Sequence, residues 1–497
     1  MNQNNISTAE LFQRVRELLT LPELEPKTRN KMMHDTLILC CHEGVKETKQ
    51  AFGNLFSQVD YLCKAHGIKV ADKIAIQTMR RHSNSQEPLS SEDLKYDARA
   101  LAIFISAVFG VDVPHELNVL IPHTNRPYQK GLEINNRRIR CIVKNWDSDF
   151  IRVDIDQDAD EEEYLVQLKD EENHIDHTYL WDILKEGMQL NLLDCQVKQP
   201  VITPRLIVVE PDYLVDISSI ATCFTAFGHH PLLYLLNQMK PRANTQATLL
   251  GNFAGAALDD IINTNGKYQM NETIKTNFRE KALEFCTCPW FDAKKFYTDA
   301  NQQAFNLQQV VDILFPRTAS QAQMSAFRGE SLYDRKKAIL EPSFVCEALG
   351  IQGRVDLMTT DCKLLVEQKS GRNMNIETHQ VDPGYHSYQL EPHYVQLLLY
   401  YGVLQHNFKL SNDRVNIRLL YSKYQPQDGL MVVAYYHKLF QEAITYRNQL
   451  VAASFEIAKE GFEHALNEFT PDVLNVAGTQ DFFYNKYLKP QIEAITS

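Results

Sequence analysis

The sequence predicts an α/β (α+β) multi-domain protein, and three observations support this prediction. The chain has 497 residues, which is enough for two to four domains with a core each. Apolar residues recur with a helical period over residues 7–120, and from about residue 130 the period changes to two. After Pro231 helical and strand patterns alternate, which predicts a mixed α/β region.

Composition narrows the class of protein. Hydrophobic residues make up 44% and charged residues 23%, as in globular proteins. No run of 18 apolar residues and no apolar leader occurs, so we expect a soluble cytoplasmic protein with no membrane partner. The ten cysteines form no CxxC pair, which favours reduced thiols. The net charge is −12, but residues 147–176 alone contribute −11, so the overall charge does not exclude a nucleic-acid partner.

Residues 1–125 are predicted to form a helical domain of unknown role. Leu11, Val15 and Leu18 recur on one helical face, and similar stripes follow at 36–66 and 93–110. The spacing of Cys63 and His66 is also compatible with a zinc site, to which Cys40, Cys41 and His42 could contribute. Thiols buried on apolar helix faces are the more ordinary interpretation.

Residues 130–216 are predicted to form a small β-barrel of the OB type. Five short runs alternate or are β-rich, at 139–143, 150–155, 164–168, 188–193 and 206–209, with a helical insertion at 179–185. The first strand carries a basic edge of Arg137, Arg138, Arg140 and Lys144. This edge could contact a phosphate backbone, and a β-domain with solvated arginines is an equally good interpretation.

The strongest signal for chemistry is a predicted hairpin near residue 360. Its strands, 353–358 and 364–369, contain Asp356 on the first and Glu367 and Lys369 on the second. Side chains two residues apart share a strand face, so Glu367 and Lys369 lie together and Asp356 can lie across from them. Carboxylates with a lysine suit a Mg²⁺ ion and an attacking water. The alternative is an exposed hairpin with a salt bridge.

Two predicted helices flank this hairpin in the sequence. The helix 393–405 is apolar nearly all round, yet Gln396 and Tyr400 lie one turn apart within it and need buried polar partners. The helix 245–263 carries a stripe of small residues that includes Gly251 and Gly255. We also predict helices at 270–285 and 438–466 and a strand at 415–421.

These residues together resemble the RecB-like branch of the PD-(D/E)XK nucleases. The similarity is greatest to the nuclease part of the replication helicase-nucleases that process flaps. The hairpin is similar to the GxxD…ExK motif, Gln396–Tyr400 to QxxxY, and 251–259 to the GxxxHxxxE/D helix. The resemblance implies a restriction-endonuclease-like core over 217–466 that cleaves phosphodiesters in single-stranded or flap DNA.

The resemblance also implies roles for individual residues. Asp356, Glu367 and the carbonyl of Gln368 would hold Mg²⁺ or Mn²⁺, and Lys369 would position the attacking water. Gln396 and Tyr400 would orient the site. The candidates for contacts to DNA phosphates are Arg354, Arg372, Arg137 and Arg140. Arg335, Lys336 and Lys337 form a second predicted basic cluster that could bind phosphates.

The chain departs from the family pattern in three ways. Gly255 stands where the family has a metal-binding histidine, which leaves open a non-catalytic DNA-binding or scaffold module as the alternative function. No cysteine follows Cys362, so no iron-sulfur cluster of the family type is expected. No GxxxxGK[ST] motif occurs, so an ATP-driven helicase would be a separate domain or subunit, to which 467–497 could lead.

Overall fold

The computed structural model describes most of the chain: residues 7–21, 25–48, 50, 52, 54–85, 87–126, 137–155, 163–226, 228–239, 244–381, 387–410, 414–461, 482 and 484–496. The chain divides into two compact units, one of residues 1–213 with 454–461 and the other of residues 214–453 with 462–497. Helices occur beside several mixed sheets, so the predicted α+β multi-domain class is confirmed at this level.

The first unit begins with helices: α1 (Thr8–Thr20), α2 (Pro26–Gly44), α3 (Leu55–Ala65), α4 (Val70–Ser83), α5 (Ser91–Phe109) and α6 (His115–Asn118). The Ser7 side chain caps α1 by accepting from the backbone N–H of Glu10. The predicted apolar stripe of α1 is buried in a helical core that also contains Cys40, Cys41 and Cys63. Burial raises the pKa of the Cys63 thiol to about 12. These cysteines are therefore core residues, and among the described residues no group of three or more His, Cys, Asp or Glu could hold a metal ion.

The same unit contains a seven-stranded sheet, and the five predicted strand runs are strands of it. The strands of this part of the chain are β1 (Arg138–Trp146), β2 (Phe150–Ile155), β3 (Tyr164–Gln167), β4 (Lys169–Asp170), β5 (Ile175–Asp176), β6 (Gln189–Leu193), β7 (Gln196–Lys198), β8 (Val201–Thr203) and β9 (Leu206–Val209), with a 3-10 helix at Thr178–Asp182. The order of the sheet is β7-β8-β3-β2-β1-β6-β9, with β3 and β8 parallel and the other pairs antiparallel.

Strands β6 and β7 are separated by only Asp194 and Cys195. This one segment pairs with β1 at its start and with β8 at its end. The hydrogen-bonded circuit β1-β2-β3-β8-β7/β6 therefore returns to β1. Alternate residues of β1, including Ile139, Cys141 and Val143, lie in the core of this sheet.

The second unit begins near the predicted boundary at residue 217. Its elements are β10 (Val215–Asp216), α7 (Ile217–Ala221), β11 (Phe224–Thr225), β12 (Gly228–His229), α8 (Leu232–Met239), α9 (Gln246–Asn263), α10 (Met270–Glu280), α11 (Ala282–Cys286), α12 (Ala293–Leu314), α13 (Ala319–Phe327), a 3-10 helix (Arg335–Lys337), β13 (Ala338–Leu340), β14 (Ser343–Cys346), β15 (Ile351–Arg354), β16 (Leu357–Thr359), β17 (Leu364–Lys369), α14 (Met374–Thr378), α15 (Glu391–Phe408), β18 (Asn416–Tyr421), α16 (Pro426–Gly429), β19 (Leu430–Val432), α17 (His437–Glu460, its end counted with the first unit), a π-helical turn (Tyr484–Leu488) and α18 (Lys489–Thr496).

A five-stranded sheet, in the order β13-β16-β17-β18-β19, carries the closed end of the predicted hairpin. The predicted first strand, 353–358, is divided, because β15 pairs with β10 and β14 in a separate three-stranded sheet and Asp356 lies in the break before β16. Strands β16 and β17 are antiparallel, with Leu357 opposite Val366, and β17 and β18 are parallel. Helix α15 connects β17 to β18, as a parallel pair requires a crossover. Helices α9 and α12 cover this sheet, where Phe253 and Ala257 share a core with Val366. The sheet therefore holds β17 between two partner strands and under a layer of helices.

Some predicted bounds need correction. The predicted helix 270–285 is two helices, with Lys281 between them outside helical geometry. Helix α17 ends at Glu460, because Gly461 adopts a φ of 90°. The rest of the predicted helix, 462–466, lies outside the described residues, as does most of the predicted extension 467–497. No helix among those described combines the length and apolar character needed to cross a membrane.

Candidate active site

The structure brings Asp356, Glu367 and Lys369 together at the open end of the hairpin. Asp356 lies in the short break between β15 and β16, and its Oδ2 accepts a hydrogen bond of 2.6 Å from the backbone N–H of Gln368. Lys369 Nζ donates to Glu367 Oε1 at 2.8 Å. The geometric part of the prediction is therefore observed, since both carboxylates and the ammonium group lie at one place.

Burial makes this carboxylate pair electrostatically costly. Glu367 is only 5% exposed, and burial first and the neighbouring Asp356 second raise its pKa to about 7. Burial likewise raises the pKa of Asp356, although the Gln368 N–H and Lys369 act in the opposite direction. Oε2 of Glu367 is buried without a hydrogen-bond partner among the described residues. The site therefore has more negative charge than its own cation compensates.

Two further carboxylates that the sequence did not assign to the site lie close enough to influence it. The pKa of Asp259, on α9, is raised to about 6 by burial and then by Glu341, Asp260 and Asp356. Glu341 donates its backbone N–H to the carbonyl oxygen of Asp356 at 2.9 Å. Asp259 was the last residue of the helix motif, so a signal for it existed. Glu341 had none, because its position depends on how β13 pairs with β16.

His393 is a third residue that the sequence did not assign. Its Nδ1 lies 2.9 Å from the Tyr421 hydroxyl, which also accepts from the Leu390 N–H. Burial first and Lys369 second lower the pKa of His393 to about 3, so the ring is neutral. This contact ties the imidazole ring to the Tyr421 hydroxyl, and which of the two groups donates depends on the tautomer of the ring.

Tyr400 and Gln396 lie on α15 as predicted, and their environments differ. The Tyr400 hydroxyl donates to the carbonyl oxygen of Arg354, directly before the break at Asp356. A Cβ at Gly353 would lie 3.1 Å from the Tyr400 ring, so glycine permits this close approach. Burial, Glu367 and Asp356 raise the pKa of Tyr400. Gln396 instead has a buried Oε1 without a partner among the described residues.

The side chain of Gln368 is used to brace the sheet. Its Nε2 donates to the Ser422 hydroxyl at 2.6 Å, and that hydroxyl donates to Gln303 Oε1 at 2.6 Å. Gln303 also donates to the carbonyl oxygen of Ser370 at 3.0 Å. This chain fixes the end of β17, so Gln368 could serve a metal only through its backbone carbonyl.

The predicted DNA contacts lie in different environments. Arg354 and Arg372 are 61% and 62% exposed in their side chains and pair with Glu341 and Glu377 respectively. Arg140 is largely buried in a two-pronged ion pair, with its Nη1 and Nη2 at 2.8 and 3.1 Å from Asp212. Arg140 is therefore engaged within the fold.

Two more basic residues of the predicted surfaces have partners. Arg137 accepts the Asp194 N–H at its backbone carbonyl. Arg335, in the second predicted basic cluster, donates from Nε to the carbonyl oxygen of Ile262 at 2.5 Å and so caps the end of α9. The DNA contacts of all these residues stay predictions.

The donor set fits a hard divalent cation. Two adjacent carboxylates, one with an orphaned buried oxygen, are the chemistry that Mg²⁺ or Mn²⁺ stabilises. At Gly255, where the family has a histidine, an added Cβ would have no atom within 4 Å, so a larger side chain has space there. The side chains alone do not complete a site, since the described residues contain no metal-binding group of three.

Comparison with known proteins adds no family assignment. No known protein-family profile matches the sequence, and no curated protein is significantly similar to it.

Proposed function

We propose that this protein is a metal-dependent DNA nuclease of the PD-(D/E)XK type that cleaves phosphodiesters in single-stranded or flap DNA. The observation that carries the proposal is the convergence of Asp356, Glu367 and Lys369, with a buried carboxylate oxygen of Glu367 left without a partner. An uncompensated buried carboxylate pair destabilises a fold, so such a pair is typical of a site that binds a cation.

The chain order around the site supports the proposal. Helix α9, hairpin β16–β17, helix α15 and strand β18 follow one another in the order of the family's motifs. In the first unit, the five-position circuit of β1, β2, β3, β8 and β7/β6 supports the proposed OB-like barrel. Barrels of this kind bind single-stranded nucleic acid, which agrees with the proposed substrate.

In the proposed reaction each residue acts from its observed place. Asp356, Glu367 and the Gln368 carbonyl would hold Mg²⁺ or Mn²⁺, which supplies charge neutralisation for the phosphate and a lowered water pKa. Lys369, held by Glu367, is placed to orient the attacking water and to balance charge on the phosphate. Tyr400 fixes the backbone at Arg354 and so positions Asp356.

A cleavage assay tests the proposal. Labelled single-stranded, flap and blunt duplex DNA would be incubated with Mg²⁺, Mn²⁺ or EDTA, using wild type and Lys369→Ala. We expect metal-dependent cutting of the first two substrates and its loss in Lys369→Ala, because that substitution removes a group that acts in the transition state. Lys363→Ala is the matched control, since Lys363 is exposed at the opposite end of the hairpin.

Two results of this assay would contradict the proposal. One is the absence of cutting with every substrate and both ions, and the other is a Lys369→Ala variant that cuts at the wild-type rate. Circular dichroism of each variant confirms that the fold is retained.

A non-catalytic DNA-binding or scaffold module is the second candidate function, and Gly255 favours it. Without the histidine, the carboxylates would have to bind the metal alone, which weakens the site. DNA binding with no cutting in any ion would establish this alternative. In either case a helicase domain or subunit in DNA replication, repair or defence is the proposed partner, because the motifs resemble those of the helicase-nucleases.

A further inference from the structure

A groove of about 660 Å³ lies next to the candidate active site in the second unit. Ser370 and Gly371, the two residues that follow Lys369, form part of its lining. Trp290, Lys295 and Lys423 also line it. The groove is therefore continuous in sequence with the strand that carries the proposed catalytic lysine.

Trp290 is the most unusual residue of the groove. Its side chain is 99% exposed, although tryptophan is normally well buried, and its φ of 57° is rare for a residue other than glycine. The backbone on its carboxyl side is fixed. Phe291 packs with Phe285 and Phe296 at ring-centroid distances of 5.4 and 5.5 Å, and the Asp292 N–H donates to Gln246 Oε1 at 2.8 Å. The indole is therefore exposed to solvent, while the residues that follow it are held in place by their contacts.

Three cations line the groove. Arg372 and Lys423 lie side by side, because both pair with the carboxylate of Glu377. Lys295, in the first turn of α12, makes no ion pair with any residue that the structure describes. Lysine and arginine at the rim of a groove attract phosphate.

Two carboxylates also line the groove, which limits its positive charge. Asp292 is occupied as the N-cap of α12, where its side chain accepts from the Lys295 N–H at 3.0 Å. Asp299 is the second. Glu377, which pairs with both Arg372 and Lys423, is a third carboxylate beside the groove. Three cations and three carboxylates balance, so net charge does not account for binding and the exposed ring has to contribute.

The end of β17 is braced directly against this groove. Gln303 lines the groove and is buried, and its amide holds the carbonyl oxygen of Ser370. Through Ser422 the same amide is linked to Gln368, which lies between Glu367 and Lys369. A polymer in the groove would therefore lie beside a rigid edge of the candidate active site.

We propose that this groove binds single-stranded DNA, with Trp290 stacked on an unpaired base and Lys295, Arg372 and Lys423 at the phosphates. The inference rests on the proposed nuclease function and names the surface that selects its substrate. The indole can stack on a base only where the face of the base is free, as in a single strand or a flap. Blunt duplex DNA offers no such face along its length.

Fluorescence tests the inference without requiring cleavage. The chain has three tryptophans, so replacing Trp146 and Trp181 with Phe leaves Trp290 as the single reporter. In EDTA, a short oligodeoxythymidylate should quench its emission, and blunt duplex should not. Base stacking on an aromatic side chain predicts that Trp290→Ala weakens single-strand affinity about 5- to 150-fold, and that Trp290→Phe retains most of it.

Phe327→Ala is the matched control, since Phe327 is 89% exposed in the same unit and does not line the groove. Its single-strand affinity should equal that of wild type. Unchanged affinity in Trp290→Ala, equal quenching by duplex, or no binding of single strands would overturn the inference.

The two proposals fail in different ways. Metal-dependent cutting with unchanged affinity in Trp290→Ala would refute the groove and leave the nuclease function standing. Quenching and weakened binding without cutting in any ion would refute the nuclease and leave the groove as a single-strand binding surface.

Discussion

Replacing Glu367 with glutamine should stabilise the fold while abolishing cleavage. The substitution keeps the shape of the side chain and removes its charge. In the wild type this carboxylate is buried beside Asp356, and one of its oxygens has no partner among the described residues. The proposed function requires that charge to hold a cation, whereas the metal-free fold is more stable when Glu367 carries no charge.

The expected size of the effect follows from the pKa. Its rise from 4.5 to about 7 corresponds to roughly 3 kcal/mol, at 1.36 kcal/mol for each tenfold change in proton affinity. Glutamine has a burial cost of its own, so we expect a net gain of about 1 to 3 kcal/mol above pH 7. Below pH 4.5 the carboxyl group is neutral in both the folded and the unfolded state, so the gain vanishes there. Between these values it grows with pH.

Scanning calorimetry in EDTA at pH 4.5, 6 and 8 measures this gain. At pH 8 the melting temperature of Glu367→Gln should exceed that of wild type by roughly 2 to 10 °C. Glu377→Gln is a control with the opposite sign, because hydrogen bonds from Tyr424 and Arg372 lower the pKa of Glu377. A Glu367→Gln variant that is less stable than wild type at pH 8, or that cuts DNA at the wild-type rate, would refute this reasoning.

Three further predictions concern other parts of the chain. Gly255→His should raise Mn²⁺ affinity in calorimetric titration, since the space at this position is open and imidazole prefers softer ions. Gly255→Ala is the control for the gain in helix propensity that any replacement of this glycine brings. A folded His variant with unchanged Mn²⁺ binding would contradict the alignment of α9. His229→Phe should destabilise the protein at pH 7, because His229 bonds to Glu391 and Glu442 at 2.6 and 2.7 Å and its pKa is raised to about 9. This contribution is fully present below pH 6.5 and is lost as pH rises through 9, so a deficit that is constant from pH 6 to 10 in denaturant titrations would argue against it. Single-strand affinity should fall steeply with salt and exceed that for blunt duplex, if residues 137–144 and 335–337 contact phosphates; a flat salt dependence would exclude both surfaces.

The parts of the site that the sequence predicted are those fixed by local geometry. Glu367 and Lys369 share a face because a strand has a period of two, and Asp356 lies beside them because the short turn at 359–363 sets the register. Asp259 and Glu341 were not predicted as members of the site, because their positions depend on how α9 packs on the sheet and how β13 pairs with β16. Asp259 ends the helix motif 251–259, but no short-range pattern in the sequence places either carboxylate beside the hairpin.

The same distinction explains why the sequence does not decide which arginines can contact DNA. Whether an arginine is available to a ligand depends on its tertiary partners, and the sequence alone does not show that Arg140 meets Asp212 or that Arg335 caps α9. For a related reason, the sequence alone does not single out Trp290. Its exposure results from an anchored turn that displays it while the neighbouring Phe291 is packed.

The electrostatic state of the site distinguishes the two candidate functions on physical grounds. In a non-catalytic module, nothing would offset the cost of ionising Glu367 beside Asp356, and a neutral side chain at either position would be more stable. The surrounding contacts hold the two carboxylates together in spite of that cost, since β17 is paired on both sides, Gln368 bonds to Ser422 and Tyr400 bonds to the carbonyl oxygen of Arg354. A bound cation would offset it, and would do so more strongly at pH 8 than at pH 5, because Glu367 must lose its proton to bind. Stabilisation of the wild type by Mg²⁺ that increases with pH and is absent in Glu367→Gln is therefore what the nuclease function requires and the scaffold function does not.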